Sequence, residues 1–330
     1  MRLVLGHPFG AGYSETDIGD VLIYLGGKIN GNKKSIHALK IQCRVGVLTP
    51  LKNQFKFRAK LIFSFMKITF LGTGTSHGVP SIDCMLLGYS RCKKDVCRLS
   101  ADDPKHRRMR SSIVIEINGK HILIDVSADF RQQALMWRIP KIDAALITHC
   151  HADHISGLPD IRSYTPPSSP PLPLFGSSET VDTIKQTFSY IFSSSTFVGG
   201  GIPRIDLNVL DRPISLFGVN ITPLPVLHGN LKGCFGYRIG SVVYIPDMKS
   251  MEESVKDLAK NADCLILNCL RDEREHASHL ILDQSIALAR QLSPGRCYFI
   301  HMCHDIHYQQ DAIRLDEGME FSYDGLSIEV

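Results

Sequence analysis

Six consecutive residues, His149-Cys150-His151-Ala152-Asp153-His154, constrain this chain more than any other feature. They follow Asp143–Thr148 (DAALIT), a continuous apolar run that reads as a strand covered on both faces. The cluster therefore sits where a buried strand leaves the core. Three imidazoles and a carboxylate placed in a core would leave polar atoms unpaired, at about 1–3 kcal/mol each. As a solvated face of regular structure they have no evident purpose. Divalent cations resolve both difficulties, and imidazole with carboxylate suits Zn, Mn or Fe better than Mg or Ca. A chance histidine tract is the bland alternative; the strand before and Gly157-Leu158-Pro159 after argue against it.

The rest of the chain alternates strands and helices. Lys67–Leu71 (KITFL) is a strand that ends on Gly72-Thr73-Gly74, a permissive turn. Ser112–Ile117 and His121–Asp125, joined at Asn118-Gly119, read as a hairpin with a type I′ turn. Helices are expected over Ala128–Arg138, Ser178–Phe192 with Ser178 as N-cap, Glu252–Lys260 and Ile281–Leu292. The remaining strands are Ile205–Leu210, Ile214–Leu216, Val219–Pro223, Phe235–Ile239, Val242–Pro246, Asp263–Asn268 and Cys297–Ile300. The Pro-rich stretch 164–173 and Gly199–Pro203 are loops. Two strand-rich halves with interleaved helices imply an α/β sandwich, sheets inside and helices outside.

Charge divides the chain in two. Of its 37 basic and 33 acidic residues, ten and three lie in 1–65, leaving 27 and 30 in 66–330. The basic extension 1–65 has no convincing period, and its bland reading is an over-extended start with Met66 as the true one. A functional basic leader is the other. No run reaches the roughly 18–20 apolar residues of a membrane span, and the opening residues do not form a secretory signal. Ten cysteines scattered over 330 residues are no disulfide framework. A cytoplasmic protein whose functional cysteines act as ligands is the expectation.

His149-x-His151-x-Asp153-His154 resembles the signature of the metallo-β-lactamase superfamily. Phe70-Leu71-Gly72-Thr73-Gly74-Thr75-Ser76, Gly78-Val79-Pro80, Asp102-Asp103-Pro104 and Arg107-Arg108-Met109-Arg110-Ser111-Ser112 narrow the resemblance to the branch containing phosphoribosyl cyclic phosphate phosphodiesterase. tRNA 3′-processing endonucleases are more distant relatives. The resemblance covers about 66–330 and implies the αββα sandwich of that superfamily. It also implies a dinuclear site: His149, His151, His228 and Asp247 for one metal, Asp153, His154, Asp247 and His301 for the other, with Zn or Mn as the ions. His279 takes the place of an active-site histidine that binds no metal, and a protonated imidazole there would assist the leaving oxygen. Cys84, Cys92, Cys97 and His304 match a structural zinc site of the branch, although the cysteine spacing is stretched here; three ordinary reduced thiols are the alternative.

The implied reaction is hydrolysis of a small or cyclic phosphodiester by a hydroxide shared between two metals, with Asp153 orienting the nucleophile. Arg107, Arg108 or Arg110 would hold a distal phosphate, or form a salt-bridged surface loop. The partner is then a small-molecule phosphodiester, not a membrane, and a homodimer is left open. A nuclease of the tRNA 3′-processing type is the rival enzyme, but the near-neutral body gives a long polyanion little electrostatic support. A non-catalytic metal-binding interaction module is the rival from another class.

Overall fold

A computed structural model of the chain describes residues 66–197, 199 and 201–330, together with the backbone of 21–24 and 38–41. The chain divides into two units, Met1–Ser64 and Phe65–Val330. In the first, β1 (Val21–Tyr24) pairs antiparallel with β2 (Ala38–Ile41). The rest of the basic extension, and with it the question of a start at Met66, lies outside the described residues.

Along the second unit run β3 (Lys67–Gly72), the hairpin β4 (Ser112–Ile117) and β5 (Lys120–Ile124), then β6 (Ala144–Leu146), β7 (Leu172–Gly176) and β8 (Ile205–Val209). They are followed by β9 (Ile214–Leu216), β10 (Val219–Pro225), β11 (Phe235–Ile239), β12 (Val242–Ile245), β13 (Cys264–Asn268), β14 (Arg296–Ile300), β15 (Met319–Phe321) and β16 (Ser327–Glu329). These build two seven-stranded sheets, ordered β16-β3-β4-β5-β6-β7-β8 and β15-β14-β13-β12-β11-β10-β9.

Alternation along each strand explains the layering, because successive side chains face opposite sides. Ile113, Ile115, Ile122 and Ile124 of one sheet pack with Tyr237, Val242, Tyr244, Ile266 and Tyr298 of the other. Val114, Leu123 and Ala145 face outward under Phe130 and Ile184, from the helices Phe130–Met136 and Ser178–Thr187. Val243, Leu265, Leu267 and Phe299 face the helices Glu253–Ala259 and Leu282–Leu292. Strands covered on both faces must be apolar throughout, which is why the central ones read as unbroken hydrophobic runs. The result is an αββα sandwich, the architecture that the resemblance implies. Among the described residues no helix is long and apolar enough to cross a membrane.

Three local expectations need correction. The helix expected over 178–192 is two, Ser178–Thr187 and Ser189–Phe192, broken at Phe188. Its N-cap is Ser177, whose hydroxyl accepts from the Thr180 N–H at 3.1 Å, not Ser178. The Pro-rich loop is shorter than expected, because β7 begins at Leu172; Pro173, lacking an N–H, disguises it.

Candidate metal centre

The ends of β5, β6, β10, β12 and β14 deliver the key side chains to one end of the sandwich. Asp125 follows β5, His149 lies just beyond β6, and His301 terminates β14. Asp125 and His301 both take positive φ, 62° in each case, a conformation that costs a non-glycine residue and recurs at functional sites. The turn Ala152–Ile155 then presents Asp153 and His154. His228 follows β10, and Asp247 lies two residues beyond β12.

All seven residues expected as ligands converge. The ligand atoms of His149, His151 and His228 lie within 4.8 Å of one another, as do those of Asp153, His154 and His301. Asp247 lies between the two groups. Its Oδ1 is 3.1 Å from Nε2 of His301 and 3.9 Å from Nε2 of His228, and its Oδ2 is 3.1 Å from Nε2 of His154.

Most of the rings are already oriented. Nδ1 of His149 meets the Thr148 hydroxyl at 3.0 Å, Nδ1 of His154 meets Asp125 at 2.8 Å, and Nδ1 of His301 meets the Ser111 hydroxyl at 3.2 Å. Nδ1 of His228 meets the Ser278 carbonyl at 2.9 Å. In each case Nε2 is left for the centre, and such outer partners are what fix the tautomer of a metal-binding imidazole. His151 is the exception: its Nδ1 faces inward, 3.0 Å from Nε2 of His149.

The electrostatics suit cations. Burial holds His149, His151 and His301 below the usual imidazole range, which leaves neutral rings with a lone pair. Burial opposes charge on Asp153 and Asp247 too, yet the surrounding histidines hold both carboxyls below their usual value. His154 overcomes its own desolvation and rises well above the usual range, because Asp153, Asp125 and Asp247 surround it. Three carboxylates thus demand positive charge where Nε2 of His154 and Oδ2 of Asp247 are buried without a hydrogen bond. Neutral imidazoles, ionised carboxylates and orphaned inward atoms are the donor set that divalent cations fit.

His279 joins this group, with Nδ1 3.4 Å from Oδ1 of Asp247 and its ring stacked on His301 at 5.0 Å. Burial pushes it down to about 3 despite Asp247.

The arginine motif divides between its two readings, a phosphate contact and a salt-bridged loop. Arg108 is fully buried and bonds backbone carbonyls, and Arg110 pairs with Asp129 at 2.8 Å. Only Arg107 of the three is exposed.

The cysteine cluster does assemble. Cys84, Cys92 and Cys97 are buried within ligand distance of one another, and Sγ of Cys84 is 3.4 Å from Nδ1 of His304. The stretched spacing is absorbed by the short helices Ile82–Leu86 and Val96–Leu99. A cleft of about 980 Å³ opens beside this cluster, lined among others by Leu86, Leu87, Arg91, Arg274 and His304. Three contributors to the metal centre escaped the sequence reading: Asp125, Thr148 and Ser111. Asp125 and Ser111 orient histidines 29 and 190 residues away, and Thr148 orients its own neighbour His149.

A family model described as a β-lactamase superfamily domain matches residues 120–302. The crystal structure of a diphosphatase from the PhnP family is similar at 35% identity and a TM-score of 0.71, covering 80% of this chain and 98% of that one. Zn²⁺-bound PqqB from Methylobacterium extorquens shares the fold at 20% identity and a TM-score of 0.64, covering 80% of this chain and 100% of that one. A protein named octanoyltransferase from Porphyromonas gingivalis is 33% identical over 79% of this chain. The match spans only 51% of that relative, so the chain corresponds to about half its length.

Proposed function

Because the chain belongs to the β-lactamase superfamily and, within it, to the PhnP family, we propose that this metal-dependent hydrolase is a phosphodiesterase acting on a small or cyclic phosphodiester. The observation that carries the reading is Asp247 between two histidine groups, with its Oδ2 and Nε2 of His154 facing each other at 3.1 Å, buried and without a hydrogen bond. His149, His151, His228 and Asp247 would hold one divalent cation, and Asp153, His154, Asp247 and His301 the other. Zn or Mn there would supply a nucleophile from water at neutral pH and neutralise the non-bridging phosphate oxygens.

The chain's own residues supply the rest. Asp153, held ionised by its histidine neighbours, would orient the attacking water by accepting a hydrogen bond at a carboxylate oxygen. His279, buried beside Asp247 and His301, donates a hydrogen bond to the leaving oxygen from its neutral ring. Cys84, Cys92, Cys97 and His304 would hold a further, structural zinc away from the reaction.

A second reading is favoured by the 35% identical PhnP-family protein, whose name gives diphosphates as its substrate. A panel containing a cyclic phosphodiester, bis-p-nitrophenyl phosphate, a nucleoside diphosphate derivative and a precursor tRNA separates these cases. Turnover of the first two, with little of the others, is the expected result. Preferential cleavage of the diphosphate, or of the tRNA, would replace the phosphodiesterase assignment.

A further inference from the structure

Arg108 carries its guanidinium into the interior at 1% exposure, with neutral partners only. Nη1 donates to the Cys303 carbonyl at 2.6 Å and Nη2 to the Ile306 carbonyl at 2.9 Å, while Nε has no partner. Asp324, the carboxylate nearest in effect, is engaged instead by the Met109 N–H and the Thr73 hydroxyl. A buried charge left uncompensated costs several kcal/mol, so a chain that keeps one there needs a counter-charge.

The surroundings offer one. The Arg108 backbone is bridged both ways to Val79, at 2.8 and 2.9 Å. Val79 packs in the small core with Cys84, Cys92 and Cys97. Three thiolates and an imidazole around a divalent cation carry a net charge of about −1, and one of the two carbonyls that the guanidinium grips is that of Cys303, the neighbour of His304. The carbonyls that Arg108 grips belong to the loop 303–306, which contains His304 and follows His301. Three residues beyond Arg108, the Ser111 hydroxyl contacts Nδ1 of His301. One short segment therefore touches the cysteine lobe, the His304 loop and the dinuclear cluster.

We propose that Arg108 is a positioning residue coupling the two clusters: its guanidinium balances the charge of a cation-loaded Cys84/Cys92/Cys97/His304 site and fixes the loop that joins His304 to His301. This rests on reading both clusters as metal sites. Methionine at 108 fills similar volume but leaves the carbonyls and the cluster charge unanswered. Lysine restores the charge with a less suitable donor geometry.

The test is a Co²⁺ titration of the metal-stripped full-length chain, read by thiolate-to-cobalt charge-transfer absorption. Among the described residues that band reports the cysteine site, because the histidine–aspartate groups contain no thiolate. Arg108→Met should weaken Co²⁺ binding there by about ten-fold or more, as loss of an outer partner does, and Arg108→Lys should recover part of the loss. A band that titrates identically in native chain and folded Arg108→Met overturns the proposal. A native chain with no thiolate band removes the cysteine site and the proposal with it. Should Arg108→Met fail to fold, Cys97→Ser tests the coupling from the other side. Amide hydrogen exchange over 301–306 in the metal-supplied protein should then rise above native, and unchanged exchange overturns the proposal equally.

Discussion

Asp125 and His154 form a fully buried pair in which a carboxylate oxygen lies 2.8 Å from Nδ1 of the ring. The same carboxylate accepts from the Thr148 N–H at 2.8 Å and from its hydroxyl at 2.9–3.0 Å. Burial pushes the Asp125 carboxyl up, while His154 and Thr148 pull it down. One side chain at the end of β5 thereby sets the exit of β6 and the tautomer of a candidate ligand.

Asp125→Asn keeps the shape but removes the charge and offers an N–H where an acceptor is needed. It should weaken metal binding by about 10–100-fold while the fold persists. Competition titration against a chelator measures this; affinity equal to the native chain would show that His154 needs no carboxylate behind it.

Tyr237 of β11 donates from its hydroxyl to the Ile147 carbonyl at 2.6 Å, linking the two sheets immediately before Thr148 and His149. Both residues are completely buried. Tyr237→Phe leaves that carbonyl without its hydroxyl partner and should cost roughly 1–2 kcal/mol. A lower urea midpoint at unchanged slope is the signature, and an unchanged midpoint would contradict it.

Asp324 gives a pH-dependent term with a definite sign. Burial raises its carboxyl to about 7, against bonds from Met109 and Thr73 that lower it. The unfolded value is about 3.9, so the folded chain binds this proton more tightly. Its contribution to stability is full below about pH 4 and is lost as pH rises through about 7. Asp324→Asn should remove that term. Unfolding free energies of native and variant chains, compared from pH 4 to 8, should diverge on the acid side; parallel curves would contradict the assignment.

Much of the fold and of the metal cluster is legible in the sequence because the signals are local. Ala144 to Ile147 are apolar without a break because both faces of the sheet are covered, and His149 to His154 are contiguous. His228, Asp247 and His301 are visible only through resemblance, since what unites them is the common end of several strands. Asp125 was read as the end of an ordinary hairpin strand; its role depends on Thr148, 23 residues away. The arginines show the reverse, because the motif 107–110 leaves a phosphate contact and a salt-bridged loop equally open, and only burial removes Arg108 from the first. Helices Ile82–Leu86 and Val96–Leu99 were missed because one turn is too short to show a period.

The central claim is that activity depends on metal held around Asp247. The direct measurement is the rate of bis-p-nitrophenyl phosphate hydrolysis by the metal-stripped chain as Mn²⁺ or Zn²⁺ is restored, with Asp247→Asn beside it. The native chain should be inactive when stripped and recover on addition of metal, while Asp247→Asn should lose at least about 100-fold of the recovered rate, since removing a central carboxylate forfeits roughly 3 kcal/mol of transition-state stabilisation. Full activity in the stripped chain, or native recovery in Asp247→Asn, would contradict it.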